Sequence, residues 1–395
     1  MKLLLYSHYF APGIGGVETI VMSLARGLAE LRAEDGAREW EVTLATQTAR
    51  QNFDDANLPF PVVREPGLWR LLQLVRAADA VHIAGPSFAP MLFAWLAGKP
   101  FVVEHHTYQA ICPNGLLIHQ PDRAVCPGHF QAKNRAECVK CQTAEVSRMR
   151  GLIKVMAGFP RLALVRRAAA NIAVSEHVRT RLAVPRTSVV YHGMDAQPAS
   201  TEASSSSGNA TSAICFAMIG RFVQEKGIHV FIEALAMLRQ EGLKCEAKLI
   251  GDGPERANIE AQLKAAKLES IVKITGYLSG EELAAEVSNV SVVVMPSVCE
   301  ETAGLAAMEQ MMRGRLAICS DIGGLAEIVG DAGLKFPAGD ASALAACLRR
   351  VAANPGLAKS FGEKAQRRGQ ELFARKRMIA NHAAIYARSW KKRPG

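Results

Sequence analysis

No apolar run in the chain approaches the length needed to cross a bilayer, which argues against an integral membrane protein. The opening segment, MKLLLYSHYF, is interrupted by His8 and Pro12 too early for a signal peptide and is expected to form a first strand instead. Nine cysteines, an odd number with no secretion signal, argue against a disulfide framework and for a reducing cytoplasm. Aromatic residues make up only 6% of the chain, and none interleave with a basic run. Cysteine and histidine never take the C2H2 spacing either, so a Zn-dependent nucleic-acid-binding module is the weaker alternative despite a net charge of +10. The glycines of the first loop lack the spacing of the dinucleotide fingerprint.

What is present describes a globular α/β protein. With 395 residues, 49% apolar and 21% charged, the chain is long enough for two domains. The most informative stretch runs from Met295 to Val329. A buried strand over 292–295 ends at Pro296-Ser297, followed by Glu300, Glu301 and Gly304. A helix over 305–312 carries Glu309, a second strand is expected over 315–319, and Gly323-Gly324 opens another helix. Strand, loop, helix, strand is a parallel crossover unit, and ligands in such sheets bind beyond the carboxyl ends of the strands. Gly304 and Leu305 stand at a helix start, where free N–H groups and the dipole favour an anion. Carboxylates accept two hydrogen bonds at once, which suits paired sugar hydroxyls. Phosphate at the helix start and hydroxyls at Glu301 and Glu309 describe a nucleotide sugar. The plainer reading is two surface carboxylates beside a helix cap.

Earlier in the chain, Gly220, Arg221, Lys226 and Gly227 follow a strand expected over 214–219. Two cations next to a helix start oppose the dipole, a mismatch that itself argues for a bound anion. The loop after the first strand reads HYFAPGIGGVE and leads into a helix over 17–31. His105 and His106 follow a strand over 101–104, and His106 stands at its carboxyl end. Between residues 107 and 146 the pattern is irregular. It holds Cys112, Cys126, Cys138 and Cys141 in the spacing C-x13-C-x11-C-x2-C, with His119 and His129 nearby. Four thiolates suit a tetrahedral structural Zn, which would organise an insert poor in regular apolar residues; unliganded thiols are the alternative. Residues 152–169 read as a basic amphipathic helix with a break expected at Pro160. From Arg148 to Arg186 the chain carries nine Lys or Arg against one acid, Glu176, and the tail from Ala374 carries seven against none. Both suit an anionic membrane surface or a solvated face. Residues 196–212 are a low-complexity linker.

These motifs resemble the family 4 retaining glycosyltransferases of the two-Rossmann GT-B fold. Glu301, Gly304 and Glu309 match the Glu-x7-Glu signature, with Ala303 where an aromatic residue is usual. Gly220, Arg221, Lys226 and Gly227 match G-R-x4-K-G, and Gly15, Gly16, Val17 and Glu18 match the GGVE loop. His192, Gly193, Met194 and Asp195 resemble an Asn-Gly-Val-Asp hinge segment, with His for Asn.

The resemblance implies an acceptor-side domain over 1–195 with the insert at 107–146, and a nucleotide-sugar domain over 213–373. Residues 374–395 would form a helix crossing back to the first domain, and the two domains would face across a cleft. It implies donor contacts from Gly16, Arg221, Lys226, Glu301, Gly304, Leu305 and Glu309, with His106 and Glu301 as the catalytic pair and no cofactor required for catalysis. The implied donor is a UDP- or GDP-sugar. The implied acceptor is a glycan or lipid-linked hydroxyl, in the synthesis of cell-envelope polysaccharide, lipopolysaccharide or glycolipid at the inner face of a membrane. A nucleotide-sugar 2-epimerase of the same fold is the main alternative, and no nucleic-acid partner is expected.

Overall fold

The computed structural model describes residues 1–13, 15–33, 36–195 and 214–391. The chain divides into two compact units, one of Met1–Met194 with Phe373–Gly395 and one of Asp195–Leu372. The low-complexity stretch expected as a linker lies outside the described residues.

The first unit contains, in order, β1 (Lys2–Ser7), α1 (Gly16–Glu30), β2 (Glu41–Thr46), β3 (Val62–Arg64), α2 (Leu68–Ala77), β4 (Ala80–Ala84), α3 (Phe88–Leu96) and β5 (Phe101–His105). A short hairpin of β6 (Ile118–His119) and β7 (Ala124–Val125) follows. Then come α4 (Arg135–Thr143), α5 (Arg148–Val165), β8 (Ala170–Ala173), α6 (Glu176–Leu182) and β9 (Thr187–Val189). The strands other than the hairpin form one parallel sheet in the order β3-β2-β1-β4-β5-β8-β9. β4 and β5 are buried along their whole length, although β4 carries His82 and β5 carries Glu104 and His105. Ser175 caps α6 by accepting a hydrogen bond from Val178 N–H at 3.2 Å.

The second unit contains β10 (Ile214–Ile219), α7 (Ile228–Gln240), β11 (Cys245–Ile250), α8 (Arg256–Ala265), β12 (Val272–Gly276), α9 (Gly280–Glu286), β13 (Val292–Met295), α10 (Leu305–Met312), β14 (Leu316–Ser320), α11 (Gly323–Val329), β15 (Leu334–Phe336), α12 (Ala341–Ala353) and α13 (Pro355–Leu372). Its parallel sheet runs β12-β11-β10-β13-β14-β15. Each sheet steps outward from its first strand in one direction and then in the other. That is the Rossmann order, with a switch point between β1 and β4 in the first unit and between β10 and β13 in the second. The final helix, α14 (Arg375–Lys391), belongs to the first unit and packs on α1. A Cβ on Gly27 would stand 2.0 Å from Ile379, so the two helices meet at a glycine.

Three expectations need correction. Pro160 does not break α5, which runs through it. The carbonyl that Pro160 leaves without a helical partner is that of Met156, on an exposed turn. Arg315 does not begin β14. It is buried, and its guanidinium donates to the carbonyls of Val290 at 2.8 Å and Val287 at 2.7 Å and to Gln310 Oε1 at 2.7 Å. The irregular insert holds a nine-residue helix, α4, which carries Cys138 and Cys141 one turn apart and packs on α5.

Candidate active site

The second unit gathers its motif residues at the switch point. The loop after β10 makes a short turn over Gln224–Lys226 and ends at Gly227, whose φ of +65° is left-handed. A Cβ there would fall 1.9 Å from the Pro296 carbonyl oxygen, so only glycine lets this loop close on the one after β13. Val298 N–H donates to the Glu225 carbonyl at 2.9 Å and ties the two loops together. That closure sets Lys226 Nζ 2.8 Å from Glu301 Oε2. Ser297, fully buried, donates its hydroxyl to Glu301 Oε1. Burial pushes the Glu301 carboxyl up, but the charge of Lys226 and the hydrogen bonds from Lys226 and Ser297 outweigh it and hold the pKa below the ordinary value. Lys226 moves the other way. Burial pulls it down, Glu301 more than restores it, and the neighbouring Arg221 charge pulls it down again.

The dipole mismatch read from the sequence is therefore answered in part by the protein, because Lys226 has Glu301 as its counter-charge. Arg221 is exposed, and among the described residues no carboxylate lies within ion-pair distance of it. Gly304 also has a reason beyond ligand approach. Its φ is +79°, and a Cβ would stand 2.6 Å from Leu325 Cδ1, so glycine is required for α11 to pack under the start of α10. Gly324 N–H donates to the Glu301 carbonyl at 2.6 Å, which fixes the Glu301 backbone from the same side. Leu305 is the first residue of α10, partly exposed. Glu309 lies in the second turn, half-buried; burial raises its carboxyl pKa and the charge of Arg313 offsets this in part. A cavity of about 500 Å³ in this unit lies between α7 and α8 and is lined by none of Arg221, Lys226, Glu301, Gly304, Leu305 and Glu309. Chemistry, rather than volume, marks the site.

In the first unit, Gly16 is exposed and opens α1. The Glu18 carboxylate folds back over the loop, where a Cβ on Gly15 would meet Oε2 at 2.4 Å. His106 lies just past β5 and stacks on His192 with ring centroids 5.2 Å apart. Its Nε2 is 3.5 Å from Glu104 Oε2. The same oxygen is 3.2 Å from His82 Nε2 and 3.5 Å from His382 Nε2. Tyr386 and His82 Nδ1 share a hydrogen bond of 2.9 Å. The fully buried Glu104 is pushed up by burial, yet the His106 and His382 charges and the bonds from His382 and His82 hold it well below the ordinary value. Burial lowers the pKa of His106, an effect that Glu104 and Glu18 counter. Neither Glu104 nor its partners His82, His382 and Tyr386 was picked out from the sequence. The one available signal was an acid inside an apolar strand, which must be paired to be buried.

The four cysteines of the insert are all buried and free, and all line one small cavity with His119, His129 and Glu137. Asn114 accepts from Cys112 Sγ at 2.9 Å, and Gln120 N–H donates to Cys141 Sγ at 3.4 Å. Burial pushes Cys138 up to about 12, helped by the other three thiols and Glu137. Soft donors with a backbone N–H on one sulfur fit a structural Zn, with Cys112, Cys126, Cys138 and Cys141 as the thiolates that would hold it. Among the described residues, the ligand sets whose donor atoms lie within 4.8 Å of one another are His82–Glu104–His382, Glu104–His106–His192 and His119–His129–Glu137. The thiols are gathered but not drawn in that far.

Residues 14–197 match the model of Glycosyltransferase Family 4, and residues 200–368 match that of Glycosyl transferases group 1. Among curated relatives, the Streptomyces kanamyceticus alpha-D-kanosaminyltransferase is 32% identical over 37% of this chain and 38% of its own length. The Erwinia amylovora amylovoran biosynthesis glycosyltransferase AmsK is 31% identical over 34% of each chain. The matched stretches thus span little more than a third of those relatives. The crystal structure of Anabaena Alr3699/HepE in complex with UDP superposes with a TM-score of 0.72 at 17% identity, over 98% of this chain and 100% of that one. This likeness shows a shared GT-B fold. The relatives are named as transferases, which does not favour the epimerase alternative.

Proposed function

We propose that this family 4-like glycosyltransferase, whose two family matches together take in nearly all of residues 14–368, moves a sugar from a UDP- or GDP-sugar to an acceptor hydroxyl and retains the anomeric configuration. The observation that carries the reading is the Lys226–Glu301 pair at the β10/β13 switch point, with Arg221 beside it and the start of α10 below. Departure of a nucleoside diphosphate develops negative charge. Lys226, Arg221 and the free N–H groups near Gly304 and Leu305 are placed to stabilise it in a site already organised by backbone bonds. Glu309 takes the ribose hydroxyls and Glu301 the sugar ring. In the first unit, His106 is held beside Glu104 at the end of β5. Among the described residues none stands as a clear covalent nucleophile, so the acceptor attacks from the front face within a tight ion pair. The HepE structure with UDP supports a nucleotide partner, and AmsK supports a role in polysaccharide synthesis.

The chain works in the cytoplasm, bound peripherally to an anionic membrane surface. Among the described residues, no helix is long and apolar enough to cross a membrane. The structure of the insert supports a Zn of structural rather than catalytic use. The deciding experiment is calorimetric titration of the full chain with UDP, GDP and their glucose and mannose conjugates, followed by turnover with and without an added glycan acceptor. Binding of neither nucleotide would refute the donor reading. Turnover of the sugar nucleotide without any acceptor would return the epimerase.

A further inference from the structure

A second cavity, about 360 Å³, opens at the switch point of the first sheet, beyond the carboxyl ends of β1, β4 and β5. Its volume is in the range of small-molecule sites. Tyr9 and Phe88, 60% and 41% exposed, line it with flat rings, Tyr9 in edge contact with His8. Its titratable lining is Tyr6, His8, Tyr9, His106 and Arg161, and no carboxylate lines it. Glu104 lies beside His106, but its charge is already shared among three imidazoles. Glu18 acts on His106 from α1.

Arg161 is the anomaly. It projects from α5, and its Nε is buried without a hydrogen-bond partner among the described residues. Burial lowers its pKa, and no neighbouring acid restores it. Arg161 is half-buried and a guanidinium does not shed its proton in a protein, so an anion in the cavity would offset this burial cost. Planar donors match phosphate and carboxylate oxygens in pairs.

We infer that this cavity binds the acceptor and that the acceptor is an anionic glycan, its phosphate or carboxylate held by Arg161 and a sugar ring resting on Tyr9 and Phe88. The inference rests on the glycosyltransferase reading only in calling the ligand an acceptor; the anion site itself stands on Arg161 and its cavity. Phosphate has two sources, a soluble sugar phosphate or the linkage of a lipid carrier.

The test is titration of the full chain with glucose 1-phosphate, glucuronate, octyl phosphate and uncharged glucose. The wild type is compared with Arg161→Gln, Arg161→Lys and Lys226→Ala, each with a matching thermal melt. Anionic probes should bind the wild type, lose about tenfold or more in Arg161→Gln, and recover in part in Arg161→Lys. Lys226→Ala should weaken UDP but leave the anionic probes unchanged. Binding of glucose 1-phosphate without octyl phosphate assigns the anion to a sugar phosphate, and binding of octyl phosphate through Arg161 assigns it to a lipid linkage. Equal binding of an anionic probe to wild type and Arg161→Gln overturns the inference. So does loss of that probe in Lys226→Ala alone, which would place the anion at the donor loops. Failure of UDP to bind, with the Arg161 dependence intact, would instead count against the donor reading.

Discussion

Lys226 and Glu301 hold each other across two loops, Nζ 2.8 Å from Oε2, at the point where the second sheet changes direction. Each keeps the other charged against burial, so each is already fixed before a ligand binds. The pair gives opposite pH signatures. Glu301 has a folded pKa below 4.5, so its contribution to stability is present above that value and is lost as pH falls through the folded pKa. Lys226 has a folded pKa above 10.5, so its contribution is present below that value and is lost as pH rises through the folded pKa. Glu301→Gln should therefore cost stability at pH 7 and progressively less on acidification below pH 4.5, read by urea melts against wild type. Lys226→Ala and Arg221→Ala should each lower turnover roughly tenfold or more, since a hydrogen bond to a charged group is worth about 1.5–3 kcal/mol. Wild-type turnover in either folded variant would remove them from the donor site.

The two glutamates should separate by ligand. Glu309→Ala should weaken the free nucleoside diphosphate as well as the sugar donor, because its carboxylate serves the ribose. Glu301→Ala should weaken the donor and spare the free nucleotide. Calorimetry with UDP and UDP-glucose reads both, and the reverse pattern would mean that their roles are exchanged.

The parts of the fold that were legible share a physical reason. β10 and β13 are continuous apolar runs because parallel strands are covered on both faces. α10 and α11 were legible from Gly304 and from the Gly323-Gly324 pair. β3 escaped notice because three half-buried residues carry no pattern, and α3 because it is apolar on nearly every face and has no period. The same contrast holds in the site. Arg221, Lys226, Glu301 and Glu309 sit in short motifs on two loops and the helix that follows. His82, Glu104 and His382 come from β4, β5 and α14, and only the strand order and the docking of the last helix bring them to one oxygen atom. No spacing in the sequence encodes that meeting.

Acid should unfold the first unit early. Burial lowers His105 to about 4 and His192 to about 3, so both stay neutral in the fold while the unfolded chain takes up protons below pH 6.5. A depressed histidine makes stability fall as pH drops, by about 1.4 kcal/mol per unit and per group while only the unfolded state is protonated. His192→Asn removes one such group and should flatten the decline between pH 6.5 and about 4. Chemical-denaturation midpoints across that range check it; an unchanged slope would mean that His192 is protonated in the fold.

The insert should carry close to one Zn per chain. Four buried thiols must lose their protons on coordination, so uptake should release protons and weaken in acid. Elemental analysis of protein purified under reducing conditions without chelator should find the metal. Cys138→Ser and Cys141→Ser should each lose it and lower the melting temperature. Wild-type protein free of metal would leave four thiols packed around a cavity for no structural purpose.

The membrane prediction now has a specific face. Met149, Leu152, Ile153 and Met156 are 70%, 47%, 59% and 54% exposed, and they recur at i, i+3, i+4 and i+7 along one side of α5. The opposite side, with Gly151, Val155 and Gly158, is the one buried in the fold. A helix with two apolar sides, one of them left in water, marks an interaction surface. Arg148, Arg150 and Lys154 flank the open side, all exposed, which suits an anionic bilayer entered at headgroup depth. The C-terminal stretch contributes less than its composition suggests. Arg375 bonds to the Ser23 carbonyl at 3.4 Å and lies 3.7 Å from Glu30, while Ile379, His382 and Tyr386 are buried against the first unit. Each basic residue near an anionic surface adds about 1 kcal/mol, and the apolar stripe adds a salt-insensitive part. Flotation with phosphatidylserine-containing vesicles should capture the wild type at low salt, less of it at high salt, and none with neutral vesicles. Leu152→Asp with Ile153→Asp should abolish capture without changing the melting temperature, because both side chains already face water. Capture that survives this double change, or that is equal on neutral vesicles, would move the contact away from α5 or remove charge from its cause.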